Sequence, residues 1–363
     1  MEVGINGLWL AENALNPLAL LLMRWMNSTL PIRENFNLTL FLPENSKLDG
    51  TKDVHTVIVG SSKSPSARLH YDQWALPRAA ADRGIDLLLY VGQRAPLSST
   101  VPVMSFSDVQ LQDSAAGIVE RARNTLGMVG AAGAIAMLRP DDYPSLQSRM
   151  DGAHRLIPIS SWVDPEFLEQ EAAKINRAQG SENWPEAYVL CHGLGSSELS
   201  FLLSAWTWVA SALGDSYPLV ILAGSKSLRN KIRGEAQLLG VEESVQPLGA
   251  IRARDLPMLY KGAHALINVS HRGWGQQLRW AMASGVPIAG VRDGVHESVL
   301  HDAGYLVDPG DSRKLGAACI GLLVEDKLAQ LLREKGRKRS ARFQTAQAQE
   351  SLVQAIVTIF KEL

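Results

Sequence analysis

The sequence predicts an α/β protein made of two doubly wound, parallel-sheet domains in tandem. Three observations carry this. Short, nearly continuous apolar runs such as "IDLLLYVG" (85–92) and "PLVILAG" (218–224) alternate with longer helical stretches. Strands that are apolar on both faces belong to parallel sheets covered by helices on each side. The alternation breaks in a polar, turn-rich stretch over 171–187 and then restarts. A chain of 363 residues also exceeds what one core usually holds. The expected layout is a first Rossmann-like domain over 1–170, a linker over 171–187 and a second such domain over 188–340. A C-terminal helix within 341–363 packs back toward the first domain. Two such domains would face each other across a cleft at the carboxyl ends of their strands, where ligands bind.

The elements follow in order. "VGIN" (3–6) reads as a strand and the region near 15–27 as a helix. "NLTLFL" (37–42) and "VHTVIVG" (54–60) are strands, and 71–84 is a helix closed by Gly84. Strands at 85–92 and 101–108 precede a helix at 115–127 and a strand at 131–138. After the linker come strand 188–193, helix 198–214, strand 218–224, helix 227–240 and the short run 245–249. Helix 255–263, strand 264–270, helix 275–285, strand 286–291 and the segment 303–311 complete the second domain, and the tail from 312 is helical. Each assignment rests on apolar runs for strands and amphipathic spacing for helices.

Bulk properties narrow the function. The net charge is −1 and no long basic run occurs, which argues against nucleic-acid binding. Cys191 and Cys319 lie in apolar contexts and read as buried structural thiols. No histidine pair has metal-ligand spacing; His296 and His301 lie five apart in a loop-like stretch, so no metal is expected. No dinucleotide fingerprint, nucleophile elbow or P-loop appears. The opening "MEVGING" reads as a strand rather than a leader. The run "ALNPLALLLMRWM" (14–26) is too short to span a bilayer and reads as a buried helix. A monotopic membrane patch is the alternative for that run. The cytoplasm is the expected compartment, with a peripheral place on the inner membrane face left open.

The second half carries a family resemblance. "LVILAGSKSLRNKIRGEAQLLGVEESVQPLGAIRARDLPMLYKGAHALINVS" and "MASGVPIAGVRDGVHESVLHDAGYLVDPGD" resemble, in order and spacing, the retaining glycosyltransferases of family 4. Glu297, Asp302, Gly304, Asp308, Pro309 and Asp311 match the second block. "HRLIPISSWVDPEF" is similar to the family's exit into its second domain. The resemblance implies the GT-B fold and a nucleotide sugar as donor if the chain is active. It implies no other cofactor.

The same resemblance marks departures. The family's two acids fall on Arg272 and Trp280, neither of which accepts hydrogen bonds from sugar or ribose hydroxyls. Trp280 reads as a core residue whose bulk fills the ribose space. The family's basic pair falls on Ser196 and Ser197, where a serine N-cap is the better reading. The catalytic-side histidine falls on Ser107, although Asp108 remains. The first strand–helix turn carries Trp9 in place of an open glycine loop, and with Trp280 it stands as a possible obstruction of the cleft. Gly193, Gly195, Gly273 and Gly275 remain and still allow backbone amides to approach a ligand. Candidate donor contacts are therefore Gly193, Gly195, Ser196, Ser197, Arg272, Gly273 and Gly275. Lys226 is a weaker phosphate candidate, and His271, Arg272 and Arg279 form a small basic cluster.

These departures agree with one another. They imply a family 4-like protein that is catalytically degenerate and serves as partner or regulatory subunit, for instance of an active glycosyltransferase. Two alternatives stay open. One is a retaining transferase in which Arg272 replaces the lost cations. The other is a module that binds a glycan or an anion.

Overall fold

The computed structural model describes residues 1–12, 17–33, 35–44, 46, 48, 54–91, 95–108, 133–137, 156–159, 161–168, 184–249, 251–270 and 275–361. The chain divides into two compact units: Met1–Ser161 with Ala346–Leu363, and Trp162–Thr345.

The first unit is a seven-stranded parallel sheet. Its strands are β1 (Glu2–Asn6), β2 (Asn37–Glu44), β3 (His55–Ser61), β4 (Leu87–Val91), β5 (Val103–Asp108), β6 (Gly133–Met137) and β7 (Leu156–Pro158). They lie in the order β3-β2-β1-β4-β5-β6-β7. Its helices are α1 (Gly7–Glu12), α2 (Pro17–Met26), α3 (Leu30–Arg33), α4 (Pro65–His70) and α5 (Leu76–Ala81). Strand β4, "LLLYV", is buried along its whole length, as a central parallel strand must be. Gly7 lets α1 start directly on the sheet, because a Cβ there would sit 2.8 Å from the Phe41 carbonyl oxygen.

One expectation holds here and one changes. The run read as a buried helix supplies, from Pro17, α2, whose Leu18, Ala19, Leu21, Leu22 and Trp25 are at most 1% exposed and form core. The helix expected from 71 begins earlier, at Pro65. Ser64 caps it by accepting from the Ala67 amide, and proline suits the first turn. The helix runs through a π turn at Tyr71–Ala75, where the Leu76 amide reaches back to the Tyr71 carbonyl. Pro77 explains the wide turn. It has no amide to give and its ring would crowd the carbonyl four residues back, so local widening accommodates it. The helix expected at 115–127 lies outside the described residues.

The second unit is a six-stranded parallel sheet in the order β10-β9-β8-β11-β12-β13. Its strands are β8 (Val189–His192), β9 (Leu219–Leu222), β10 (Val245–Leu248), β11 (Ala265–Asn268), β12 (Ile288–Val291) and β13 (Tyr305–Val307). Helices α6 (Pro165–Leu168), α7 (Leu199–Leu213), α8 (Lys226–Leu238), α9 (Leu256–Lys261), α10 (Gln276–Ala283), α11 (Gly294–Leu300), α12 (Ser312–Val324) and α13 (Asp326–Ser340) accompany it. Helix α14 (Thr345–Lys361) belongs, from Ala346, to the first unit. Fully buried Trp206 anchors the core and donates from Nε1 to Ser244 Oγ at 3.0 Å. Cys191 and Cys319 are free and buried, and burial pushes both thiols up to about 12. They remain protonated and unreactive at neutral pH.

In both sheets the chain order reverses at the first strand: β1 lies between β2 and β4, and β8 lies between β9 and β11. Crevices open at the carboxyl ends beside such a reversal. Among the described residues no helix is long and apolar enough to cross a membrane.

The core assignment of α2 is testable. Leu22→Ala is expected to cost about 2–5 kcal/mol, read as a lowered urea midpoint. An unchanged midpoint would contradict burial of this face.

Candidate functional site

The reversal point of the second sheet sets the site. Strand β8 ends at His192 and β11 ends at Asn268, and Asn268 Nδ2 donates to the His192 carbonyl at 3.4 Å. The loop after β8 turns at Gly193, whose φ of +85° is the left-handed region that favours glycine. A Cβ at Gly193 would lie 3.0 Å from Gln277 Nε2, so this loop rests against α10.

The serine capping expected at the next helix is not what forms. Helix α7 starts at Leu199, with Glu198 in the cap position, and Ser196 and Ser197 are exposed in the preceding turn. Glu198 is buried, and its carboxylate accepts from the Gly195 amide at 2.6 Å. The glutamate side chain is long enough to bend back three residues to that amide, and it makes no capping bond to the helix's own first amides. Lys231 Nζ donates to the Ser196 carbonyl at 3.1 Å and lies 3.6 Å from Glu235. The amide that a ligand phosphate would seek is thus held by the protein's own anion.

Trp280 sits on α10. The helix begins at Gly275, with φ +74°, where a Cβ would lie 2.8 Å from Val299 Cγ2. Gln276 Nε2 donates to the Trp162 carbonyl at 3.0 Å. The Trp280 side chain is fully buried. Its ring stacks on Phe167 at 5.0 Å and 4°, and on His192 at 6.0 Å and 15°. Tyr260 meets it edge-on at 5.9 Å. Its single N–H donates to Asp164 Oδ2 at 3.0 Å, and Asp164 is itself buried. An indole has one donor, and here it is spent on a carboxylate inside the core.

His192 Nδ1 lies 2.7 Å from the Tyr260 hydroxyl. Burial lowers the His192 pKa from 6.5 to about 4 and raises that of Tyr260 well above its usual value. Both groups are neutral at pH 7.

A second polar chain runs beneath. His296 does not lie in a loop, as its spacing from His301 suggests; it is fully buried on α11. Asp293 caps that helix through the His296 amide at 2.9 Å. The imidazole lies 2.9 Å from Asp293 Oδ1 through Nδ1 and 3.0 Å from Asn268 Oδ1 through Nε2. Gly290 makes room for it, since a Cβ there would sit 2.8 Å from the ring. This chain fixes Asn268 at the end of β11. Among the described residues no group of three His, Cys, Asp or Glu side chains gathers as a cation site.

The remaining expected residues scatter. Arg279 is not part of an exposed basic cluster; it is 3% exposed and its guanidinium lies 4.9 Å from the Phe343 ring centroid. A long apolar stem and a flat cation pack well on an aromatic face. Lys226 is exposed at the start of α8. Ser107 and Asp108 close β5 opposite Ala136 and Met137. Their side chains, that of Trp9, and residues His271, Arg272 and Gly273 lie outside the described set. The sequence reading gave no role to Asp164, Phe167, His192, Glu198 or Tyr260, although the quoted "WVDPEF" holds the first two and the quoted "DLPMLY" ends in Tyr260.

Comparison with known proteins agrees with the geometry. Residues 187–325 match the family described as "Glycosyl transferases group 1". O-antigen chain mannosyltransferase B of Escherichia coli is 27% identical over 144 residues, which span 39% of this chain and 38% of that protein. Similar structures include sucrose-phosphate synthase of Thermosynechococcus elongatus, with TM-score 0.71, 15% identity and full coverage of both chains. The glycosyltransferase WaaG of lipopolysaccharide biosynthesis gives TM-score 0.72 and 13% identity, covering 97% and 98% of the two chains. Anabaena HepE in complex with UDP and glucose gives 0.71 and 15%, covering 98% and 99%. The fold is GT-B-like: two parallel-sheet, Rossmann-like domains.

Two outcomes follow for the aromatic cluster. Trp280→Glu is expected to destabilise the protein by at least about 3 kcal/mol, because it places a second carboxylate beside Asp164 without water. Thermal melting at neutral pH reads this, and an unchanged midpoint would refute the packing described. The His192 pKa is lowered on folding, so its contribution to stability is present above 6.5 and is lost as pH falls toward about 4. The melting deficit of His192→Gln relative to the parent should therefore shrink between pH 7 and pH 5. A constant deficit would show that His192 is not held neutral by burial.

Proposed function

We propose that this chain is a group 1, family 4-like protein acting in glycan or glycoconjugate assembly that has lost classical nucleotide-sugar transfer. It works there as the partner or regulatory subunit of an active transferase. The observation that carries this is Trp280. It stands where the family resemblance calls for an acid, it is fully buried, and its N–H is committed to Asp164. A ribose diol needs an acceptor pair at that place, and an indole offers neither acceptor nor space. Glu198 adds to the case, because its carboxylate on the Gly195 amide opposes an incoming diphosphate. The glycan context is supported by the match over 187–325 and by the mannosyltransferase relative.

The test is calorimetric titration of the full chain with UDP, GDP, ADP and their common sugar conjugates. No binding heat is expected. Micromolar affinity for any of them, about −8 kcal/mol, would overturn the reading in favour of a transferase with an altered donor site. The partner role is tested in the organism that carries the chain. Its deletion should change the surface glycan, and Arg272→Ala should restore the glycan as fully as the parent does. Failure of that variant to complement would return Arg272 to a catalytic role.

A further inference from the structure

The opposite edge of the second sheet, at the amino ends of its strands, gathers polar side chains that the crevice does not use. His264 immediately precedes β11, and its amide donates to the Tyr188 carbonyl at 2.9 Å. The register that sets Leu266 opposite Ile288 puts His264 level with Val286. Val286 follows Ser284 and Gly285, where α10 ends. Helix α13 packs against α10 at this edge. A Cβ at Gly336 would lie 3.3 Å from Met282 Cγ, and one at Gly285 would lie 2.6 Å from Arg337 Nε. Arg337 therefore lies against the turn that leads into β12. Arg333 stands one turn earlier on the same face of α13. It lies within electrostatic reach of His264: burial first, and then the Arg333 charge, hold the imidazole below its ordinary pKa of 6.5. The Tyr217 ring flanks the imidazole at 5.3 Å.

These side chains have bonding capacity left over. His264 Nδ1 and Ser284 Oγ are buried atoms, and among the described residues neither has a hydrogen-bond partner. Arg333 is half-buried and Arg337 exposed, and among the described residues neither guanidinium has a carboxylate partner. The nearest acids along the chain are engaged elsewhere. Glu334 accepts from Gln330 Nε2 at 3.0 Å, and Asp302 pairs with Lys335 at 2.9 Å. Two like charges one helical turn apart repel, and buried polar atoms without partners are costly. An anion seated among them would relieve both.

We propose that His264, Ser284, Arg333 and Arg337 form a binding site for a phosphate group, either free or carried on a small ester. The chemistry suits that occupant. A guanidinium fork matches two phosphate oxygens at once. A neutral imidazole with its proton on Nδ1 donates one hydrogen bond, and a serine hydroxyl donates another. These donors come from a strand start, a helix end and α13, so a tetrahedral anion meets them better than a planar carboxylate. Bound phosphate ties α13 to the end of α10 and stiffens that part of the second unit. The site lies at the sheet edge opposite the Gly193 loop, so its occupancy does not depend on whether the chain transfers sugar.

The experiment is titration of the full chain with inorganic phosphate and, separately, with glycerol phosphate, both at constant ionic strength. Calorimetry and the imidazole nitrogen resonances of His264 read the binding. Saturable binding is expected, with the His264 resonances moving along the same isotherm. Tighter binding of glycerol phosphate would make the ester the occupant, and equal affinities would make it free phosphate. The double variant Arg333→Gln/Arg337→Gln should weaken binding at least about tenfold, and Ser284→Ala should weaken it several-fold. Arg333→Lys/Arg337→Lys keeps both charges and should recover part of the affinity, which a loss of fold would not allow. The control Lys327→Gln/Lys338→Gln removes the same charge from exposed positions of α13 and should bind like the parent. The proposal is overturned if neither probe binds saturably at millimolar concentration, or if binding leaves the His264 resonances unmoved. It is equally overturned if the glutamine variant of the two arginines binds as the parent does, or if the control loses as much.

Discussion

The hydrogen bond from Trp280 to Asp164, inside an aromatic stack, is the contact on which the second unit's crevice depends. A carboxylate buried at Asp164 demands donors, and the indole is one of them. Meeting that demand sets the rotation of α10, which stacks Trp280 between Phe167 and His192. That stack places His192 at the end of β8, where Tyr260 holds its Nδ1. Five side chains, Asp164 and one each from α6, β8, α9 and α10, therefore share one arrangement, and a change at any of them reaches the others.

The glycine loop shows the same economy in a different chemistry. Glycines at 193 and 275 persist for reasons of backbone geometry and packing: φ values of +85° and +74°, with Gln277 and Val299 close by. Their survival therefore needs no ligand to explain it. At Gly195 the amide is satisfied by Glu198, so the loop closes its own electrostatic account without a phosphate. A scaffold can keep the outline of a donor site for folding alone once its anion is built in.

The fold was legible because its signal is local. Strands buried on both faces announce themselves as apolar runs, and β4 and β9 fall within the runs read at 85–92 and 218–224. The early start of α4 was signalled by Ser64-Pro65 but outweighed by the stronger periodicity after Tyr71. The site was less legible because its bonds are not local. Trp280 and Asp164 are 116 residues apart, and His192 and Tyr260 are 68 apart. No spacing rule links such pairs. Arg279 misled for a related reason. Helix α10 is buried around most of its circumference, so an arginine there no longer marks the solvent side. Glu198 escaped notice because its bond runs back to Gly195, outside the helix, where no capping pattern points.

The proposal that the second unit has lost nucleotide-sugar transfer has a direct test. Group transfer from a nucleotide sugar liberates the nucleoside diphosphate whether the acceptor is a glycan or water. The most direct measurement is therefore release of UDP, GDP or ADP from their sugar conjugates, followed over hours with the full chain at high concentration. Release indistinguishable from the rate without protein is expected. Sustained release from any one donor, abolished by Arg272→Ala, would contradict it and make this chain a working transferase with an unusual donor site.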